Sequence, residues 1–359
     1  MQVYVDDPAI ALRGTEEVCQ EQVAILLLAW HALGVDLAIK KGQFGDSIDW
    51  IGARFTVLPC AVEATILKHR LDELAVLAKS LLNCKTVAPL REVRSFTGKA
   101  QSIASLLFVW RPFVHMLYAA MGQQQSGAPP NCCWVRQISV PINWILCFLK
   151  LQVGDLTRKL SLDTYLRRGP RIIITTDASP WGLGGTLEID GQFISYFSSE
   201  VTELDRQVLV LSSEPGSKNQ QALEALAMLV ALRTWTKFWI AGRVSLTVRA
   251  DNLSTLALVA KMQPHSAQLG IIARELALDL ASAAYAPDVV EHLPGVANVA
   301  ADTLSRQFEP HKKYVVPHYL KGVPEASVAR TPVWWKSLPA PPKRGNGARI
   351  NNESVSVQY

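Results

Sequence analysis

Two short apolar runs that each lead to an aspartate constrain the fold of this chain more than any other feature. Arg171-Ile-Ile-Ile-Thr-Thr-Asp177 is β-branched almost throughout, and the run over residues 244–249 passes through Ala250 to Asp251. β-Branched runs of this length read as buried strands. After the first run, two further strands flank Asp190-Gly191, a strong hairpin signal. A helix is expected over residues 219–239, with helical stretches over 253–261 and 267–284. Val289-Val290-Glu291 forms another strand leading into His292-Leu-Pro-Gly295, and a last short helix begins near Asn298. The order describes an α/β (α+β) unit, a mixed five-stranded sheet layered with helices.

The preceding half is read more coarsely. Gln2-Val-Tyr-Val-Asp-Asp-Pro8 looks like a strand ending in a turn, and an apolar helix is expected over residues 17–35. The most apolar stretch, residues 23–37, is too short to span a bilayer and reads as a core helix. Residues 47–55 alternate like a strand. Residues 61–82 and 90–120 are helical by period, with Leu67, Leu71, Leu74 and Leu77 on one face. The Gly/Pro-rich stretch 122–131 is a loop or linker, and residues 137–168 look partly helical. After Phe308 the chain is Pro-rich, with an exposed-looking Trp334-Trp335 and a basic end, and is expected to be loosely packed or disordered.

Charge follows the same partition. Residues 1–170 hold 18 Lys/Arg against 14 Asp/Glu, residues 171–306 hold 10 against 14, and residues 307–359 hold 8 against 3. An acidic module between basic flanks suits an enzyme that concentrates carboxylates on metal ions while its neighbours grip a polyanion. Cys19, Cys60, Cys84, Cys132, Cys133 and Cys147 form no CxxC, and no His stands at ligand spacing from them, so zinc is not indicated. Reduced thiols point to an intracellular protein, cytoplasmic or nuclear, and no signal-peptide pattern opens the chain.

Four acids sit where chemistry would want them. Asp177 and Asp251 close two strands, Glu224 lies in an Ala-rich apolar helix, and Asp302 lies in the final helix. Neighbouring strand ends lie about 5 Å apart, and a helix packed on them can bring a further acid alongside. Four crowded carboxylates repel one another unless divalent cations neutralise them. Oxygen-only ligands favour a pair of Mg²⁺ ions about 3.5–4 Å apart, with Mn²⁺ as a substitute, a geometry for in-line attack of water on a phosphodiester. Taken singly, Asp177 and Asp251 also read as caps and Glu224 as a solvated helix residue. Glu200, Glu203 and Glu214, in an insertion-like stretch over residues 200–218, rival Glu224 as the helical ligand. The Gly182–Gly185 run lies between antiparallel strands, so close packing explains it better than phosphate binding.

These segments resemble retroelement ribonuclease H: Thr176-Asp-Ala-Ser179 with Trp181-Gly-Leu-Gly-Gly185, the Glu224 helix, Arg249-Ala-Asp-Asn252, and His292-Leu-Pro-Gly-Val-Ala-Asn-Val-Ala-Ala-Asp-Thr-Leu-Ser-Arg306. The resemblance implies metal ligands at Asp177, Glu224, Asp251 and Asp302. It makes His292 a mobile helper in proton transfer or product release, and Asn298 a neighbour of the RNA strand. Ser179 and Asn252, within the same motifs, are the further substrate-binding candidates.

Upstream, Tyr4-Val-Asp6-Asp7 resembles the palm turn of reverse transcriptases. A loop ending Lys41-Gly-Gln43, then Trp50-Ile-Gly52, resembles the primer-grip region, and Leu90-Arg-Glu-Val-Arg-Ser-Phe-Thr-Gly-Lys99 resembles the start of a thumb. The layout resembles gypsy or DIRS-like retroelements. It implies a palm remnant over 1–58, a helical thumb or connection over 59–168, the ribonuclease H-like domain over 169–308 and a basic tail over 309–359. Polymerisation in that family needs a further aspartate upstream of the palm turn, so this chain alone is not expected to polymerise. The expected partners are an RNA–DNA hybrid or template–primer and other polyprotein parts, with no membrane. A non-catalytic nucleic-acid-binding relic or a polyprotein subunit is the alternative.

Overall fold

The computed structural model describes residues 2–4, 7–35, 37–122, 127–211, 217–240, 242–282, 289–311 and 313–338. The chain opens with β1 (Gln2–Tyr4), β2 (Asp7–Ala9), α1 (Glu16–Ala32), β3 (Ser47–Trp50), β4 (Ala53–Leu58) and β5 (Ala61–Ile66). Next come α2 (Lys68–Asn83), β6 (Val87–Pro89), α3 (Leu90–Leu106), α4 (Arg111–Gly122), β7 (Cys132–Trp134), α5 (Val135–Leu149), β8 (Thr157–Ser161) and α6 (Leu162–Tyr165). The remainder is β9 (Arg171–Ala178), β10 (Gly182–Ile189), β11 (Gln192–Glu200), α7 (Glu203–Leu209), α8 (Ser217–Thr234), β12 (Ser245–Ala250), α9 (Leu253–Lys261), α10 (Ala267–Ala281), β13 (Val289–His292) and α11 (Val299–Ser305).

Two compact units emerge, one of Met1–Arg70 with Thr157–Ser161, the other of Leu71–Leu156 with Leu162–Tyr359. This differs from the four-part division expected from sequence. In the first unit β3, β4, β5 and β8 form an antiparallel sheet, so β8 belongs with strands nearly a hundred residues earlier rather than with a helical connection. Residues 61–66 are strand, not helix. Val62, Thr65 and Ile66 favour extended backbone, and the leucine stripe that suggested a helix begins only at Leu67. The apolar α1, expected in a core, has no buried residue: Ile25 is 59% and Leu28 68% exposed. Apolar composition alone says nothing about what packs on a helix. No helix among the described residues is long and apolar enough to cross a membrane.

In the second unit, α3, α4 and α5 bury Phe96, Phe113 and Phe148, with Trp110 stacked on Phe148 at 5.7 Å between ring centroids. The larger assembly is a five-stranded mixed sheet of order β11-β10-β9-β12-β13. β9, β10 and β11 run antiparallel, joined at Asp190-Gly191, whose positive φ values of 49° and 83° give the tight turn read from sequence. β12 runs parallel to β9, and β13 parallel to β12. Leu183 and Leu187 of β10 join Ile172 and Ile174 in the main core with Leu226 and Leu229 of α8. Every described α8 side chain from Ala222 to Leu232 is buried, the pattern of a helix apolar on all sides. α11 lies on the opposite face of β10, where a Cβ on Gly184 would collide with the Ala301 carbonyl and one on Gly182 would meet the Ser305 carbonyl at 2.7 Å. Close packing therefore accounts for these glycines.

Residues 313–338, expected to be loose, are bound to this sheet. Tyr196 of the edge strand β11 donates to the Pro324 carbonyl at 3.3 Å and accepts from Ala326 N–H at 2.7 Å, which occupies an otherwise open edge. Trp335 is fully buried in the main core, so only Trp334 keeps part of the exposure expected of the pair. Arg330 grips both oxygens of Asp205 in α7 at 2.9–3.0 Å, with both side chains fully buried. Arg233 of α8 pairs with Glu275 and Asp279 of α10 at 2.7 Å, and Lys336 reaches Asp279 at 2.7 Å. The Pro-rich composition hid this because the anchors are single residues spread over a non-periodic segment.

Removing one partner of a fully buried ion pair strands the other charge. Arg330→Ala is expected to lower the unfolding free energy by about 3–5 kcal/mol, read by chemical denaturation. The double variant Arg330→Ala/Asp205→Ala should regain part of that loss. A change below about 1 kcal/mol in the single variant would mean that the segment does not clasp the domain.

Candidate active site

The parallel pairing of β9 and β12 builds the site. Their register sets Arg249 opposite Thr175, so two residues further along Asp251 comes level with Asp177. Glu224 projects from the second turn of α8, which packs on β9 and β10. Asp177, Glu224 and Asp251 each offer a carboxylate oxygen within 4.8 Å of the others. Asp177 is 5% and Glu224 3% exposed, and Asp251 is half-buried. At an effective dielectric of about 20, each ionised pair at this separation repels by on the order of 3 kcal/mol.

The environment raises the pKa of both buried acids. Asp177 is pushed up from 3.8 to about 7, first by burial and then by the charges of Asp251 and Asp302, against the Ser305 hydroxyl that donates to its Oδ2 at 2.7 Å. Glu224 is pushed up from 4.5 to about 9, again mainly by burial, with Asp177 and Asp251 adding to it. Gln220, one helical turn before, donates to Glu224 Oε1 at 2.9 Å and to the Ala178 carbonyl at 2.6 Å. Glu224 Oε2 is buried and has no hydrogen-bond partner. An orphaned acceptor on an acid clustered with two other carboxylates is poorly served by protein donors and well matched to a hard divalent cation. The donor set, three carboxylates and no nitrogen or sulfur, fits Mg²⁺ or Mn²⁺.

The other expected residues fall into distinct places. Asp302 is outside the trio. Its side chain is 41% exposed and pairs with Arg306 at 2.7 Å, one turn along α11, although its charge is still felt at Asp177. His292 is exposed at the end of β13, with Nε2 3.1 Å from the Asp251 carbonyl oxygen. Asn298, expected beside RNA, is 1% exposed and donates from Nδ2 to the Thr176 carbonyl at 3.1 Å, so it ties α11 to β9. Ser179 is also buried. Its hydroxyl donates to the Ser305 carbonyl at 2.7 Å and accepts from the N–H groups of Trp181 and Gly182. Asn252 caps α9, accepting from Ser254 N–H at 2.9 Å and Thr255 N–H at 3.1 Å. Each of the three thus has a polar group bonded to backbone. Glu200 ends β11 and Glu203 starts α7, both exposed, and Glu214 lies outside the described residues.

Three residues to which the sequence assigned no role contact the acids: Gln220 donates to Glu224, Ser305 to Asp177 and Arg306 to Asp302. Gln220 and Arg306 each stand four positions along a helix from the acid they contact, the spacing at which helical side chains meet, whereas Ser305 reaches an acid far away in the sequence.

In the first unit, Tyr4 pairs opposite Asp7 across the β1–β2 hairpin, and Asp6 lies outside the described residues. Lys41 is exposed at the end of a short 3₁₀ turn. Trp50 packs edge-on against Phe55 at 5.7 Å. Gly52, at φ +82°, fills the tight β3–β4 turn, where a Cβ would collide with the Arg70 guanidinium. Among the described residues, the trio is the one group of acids, histidines or cysteines placed to hold a metal.

No protein-family model matches the sequence, and no curated protein matches it. Among solved structures, a ribonuclease H1 isolated from compost by a metagenomic approach aligns at 18% identity and a TM-score of 0.29, over 38% of this chain and 94% of that one. The ribonuclease H1 of Halobacterium salinarum aligns at 14% and 0.27, over 37% and 93%. A foamy viral protease–reverse transcriptase in complex with an RNA/DNA hybrid aligns at 14% and 0.30, over 83% of this chain and 36% of that one. The functional reading rests on the geometry of the site.

The raised pKa values fix a pH dependence. Both acids hold protons in the folded chain that the unfolded chain releases. The stability this gives is fully present below about pH 4 and is lost as pH rises through about 7 and 9. The thermal midpoint of metal-free protein should therefore fall between about pH 5 and 9, and added Mg²⁺ should restore it near the alkaline end. A midpoint flat with pH, or unmoved by Mg²⁺, would contradict the crowding of these acids.

Proposed function

We propose that this chain is a ribonuclease H-type endonuclease of gypsy- or DIRS-like retroelement origin, hydrolysing the RNA strand of RNA–DNA hybrids with two Mg²⁺ ions. One observation carries the reading: three carboxylates converge within 4.8 Å, and one of them keeps a buried oxygen with no partner. Bound there, divalent ions would offset the acids' repulsion, activate the attacking water and steady the entering and leaving oxygens.

The remaining work falls to the chain. Asp177 and Asp251 stand at the ends of hydrogen-bonded strands, and Glu224 on a helix buried all round, so all three project from rigid elements. Asp302 and Arg306 place a carboxylate and a cation at the rim. His292, exposed beside Asp251, is placed to exchange a proton with solvent. The family reading is supported by Asp177 and Asp251 at the ends of the neighbouring strands β9 and β12 and by Glu224 on α8, which come together. Hybrid would be selected by its shape and 2′-hydroxyls rather than by base edges. In this reading, residues 1–58 are a palm remnant whose exposed Lys40 and Lys41 contact template–primer backbone. The chain would act where its hybrid forms, in cytoplasm or nucleus.

A cleavage assay on an RNA–DNA hybrid tests this. Wild type should cut the RNA strand only with Mg²⁺ or Mn²⁺, leaving 3′-hydroxyl and 5′-phosphate ends. Asp177→Asn or Asp251→Asn should lower the rate by more than about 100-fold, beyond the loss of an outer-sphere partner alone. Tight hybrid binding by wild type with no cutting at any metal concentration would instead support a non-catalytic relic.

A further inference from the structure

α11 is fastened to the end of β9 at both of its own ends. At its start, Asn298 donates to the Thr176 carbonyl. At its finish, Ser305 donates from Oγ to Asp177 Oδ2 at 2.7 Å, while its own carbonyl accepts from Ser179 Oγ at 2.7 Å. Ser305 is fully buried, so water does not compete for that hydroxyl. Its alternative acceptor, the Asp302 carbonyl at 2.9 Å, belongs to the same helical turn. A second hydroxyl tether to this turn, Ser198 Oγ to the Leu304 carbonyl at 2.7 Å, touches no carboxylate.

An aspartate carboxylate turns about two torsions, and a strand end fixes neither. A hydrogen bond to one oxygen from a rigid, buried donor sets the plane of the group and the direction of its lone pairs. Metal ligands need such support: outer-sphere partners typically change metal affinity by 10–100-fold when removed.

We propose that Ser305 is a positioning residue of the metal centre, its hydroxyl orienting the Asp177 carboxylate for a divalent cation. This rests on the nuclease reading, which makes Asp177 a ligand. Ser305 thereby couples α11, the helix that carries Asp302, to the strand that carries Asp177.

The test titrates purified full-length chain with Mn²⁺ and with Mg²⁺ by calorimetry, without nucleic acid, and melts each metal-free variant alongside. Ser305→Ala should weaken cation binding about 10-fold or more while its metal-free melt stays cooperative. Ser198→Ala, which cuts a tether of the same length to the same helix, should leave cation affinity within about twofold. Ser305→Thr, which keeps the hydroxyl, should rescue affinity, and hybrid cleavage by Ser305→Ala should recover at high Mg²⁺. Unchanged affinity in Ser305→Ala, or an equal loss in Ser198→Ala, would overturn the proposal while leaving the nuclease reading intact. Wild type that binds neither cation would overturn both.

Discussion

Three carboxylates held within 4.8 Å of one another set the terms for the rest of this structure. Fully ionised they would repel one another by on the order of several kcal/mol, and without a cation the chain avoids this by keeping protons on Glu224 and, in part, Asp177. Parallel hydrogen bonding of β9 to β12 supplies two of the positions, and burial of α8 supplies the third. Deep burial of α8 follows from its sequence, since a helix apolar on every side has to be surrounded. Glu224 is the one acid in that helix, and it can be tolerated there only because the site faces it. Local sequence and global fold conflict at this one residue, as functional positions commonly do.

Much of the second unit was legible because its signals are local. The β-branched run over 171–177, the Asp190-Gly191 turn and the apolar helix after residue 217 each fix an element by themselves, and their order fixes the sheet. The position of Asp251 level with Asp177 follows from one parallel register. What escaped the sequence was long-range or non-periodic. Pairing of β5 with β8 joins residues nearly a hundred positions apart, and nothing in Thr157–Ser161 names its partner. The segment 313–338 uses single anchors, Tyr196 contacts, Arg330 and Trp335, with no period to detect.

At the site, the three acids that come together were among those singled out in the sequence, and the residues that contact them were not. Ser179, Asn252 and Asn298 stood out by motif and were expected to face substrate. Each has a polar group committed to backbone, because a site that crowds acids needs its loops and helix ends tied down. Small polar residues beside a metal ligand are ambiguous in sequence: the same hydroxyl or amide can meet a substrate or cap a helix. Which backbone groups they meet is a property of the fold, not of the motif.

Asp302 shows how charge balance limits such a site. A fourth carboxylate at the distance of the other three would add further like-charge pairs in a poorly solvated place. Instead Arg306, four residues along the same helix, holds Asp302 at the rim in a pair that is roughly 40% exposed on both sides, and also lies 3.8 Å from Glu309. An exposed pair of this kind is worth little, about 0–1 kcal/mol, so it steers the carboxylate without fixing it. The trio is the opposite case, placed by backbone pairing and helix burial. The site therefore combines three acids placed by the fold with one placed by a weak local attraction.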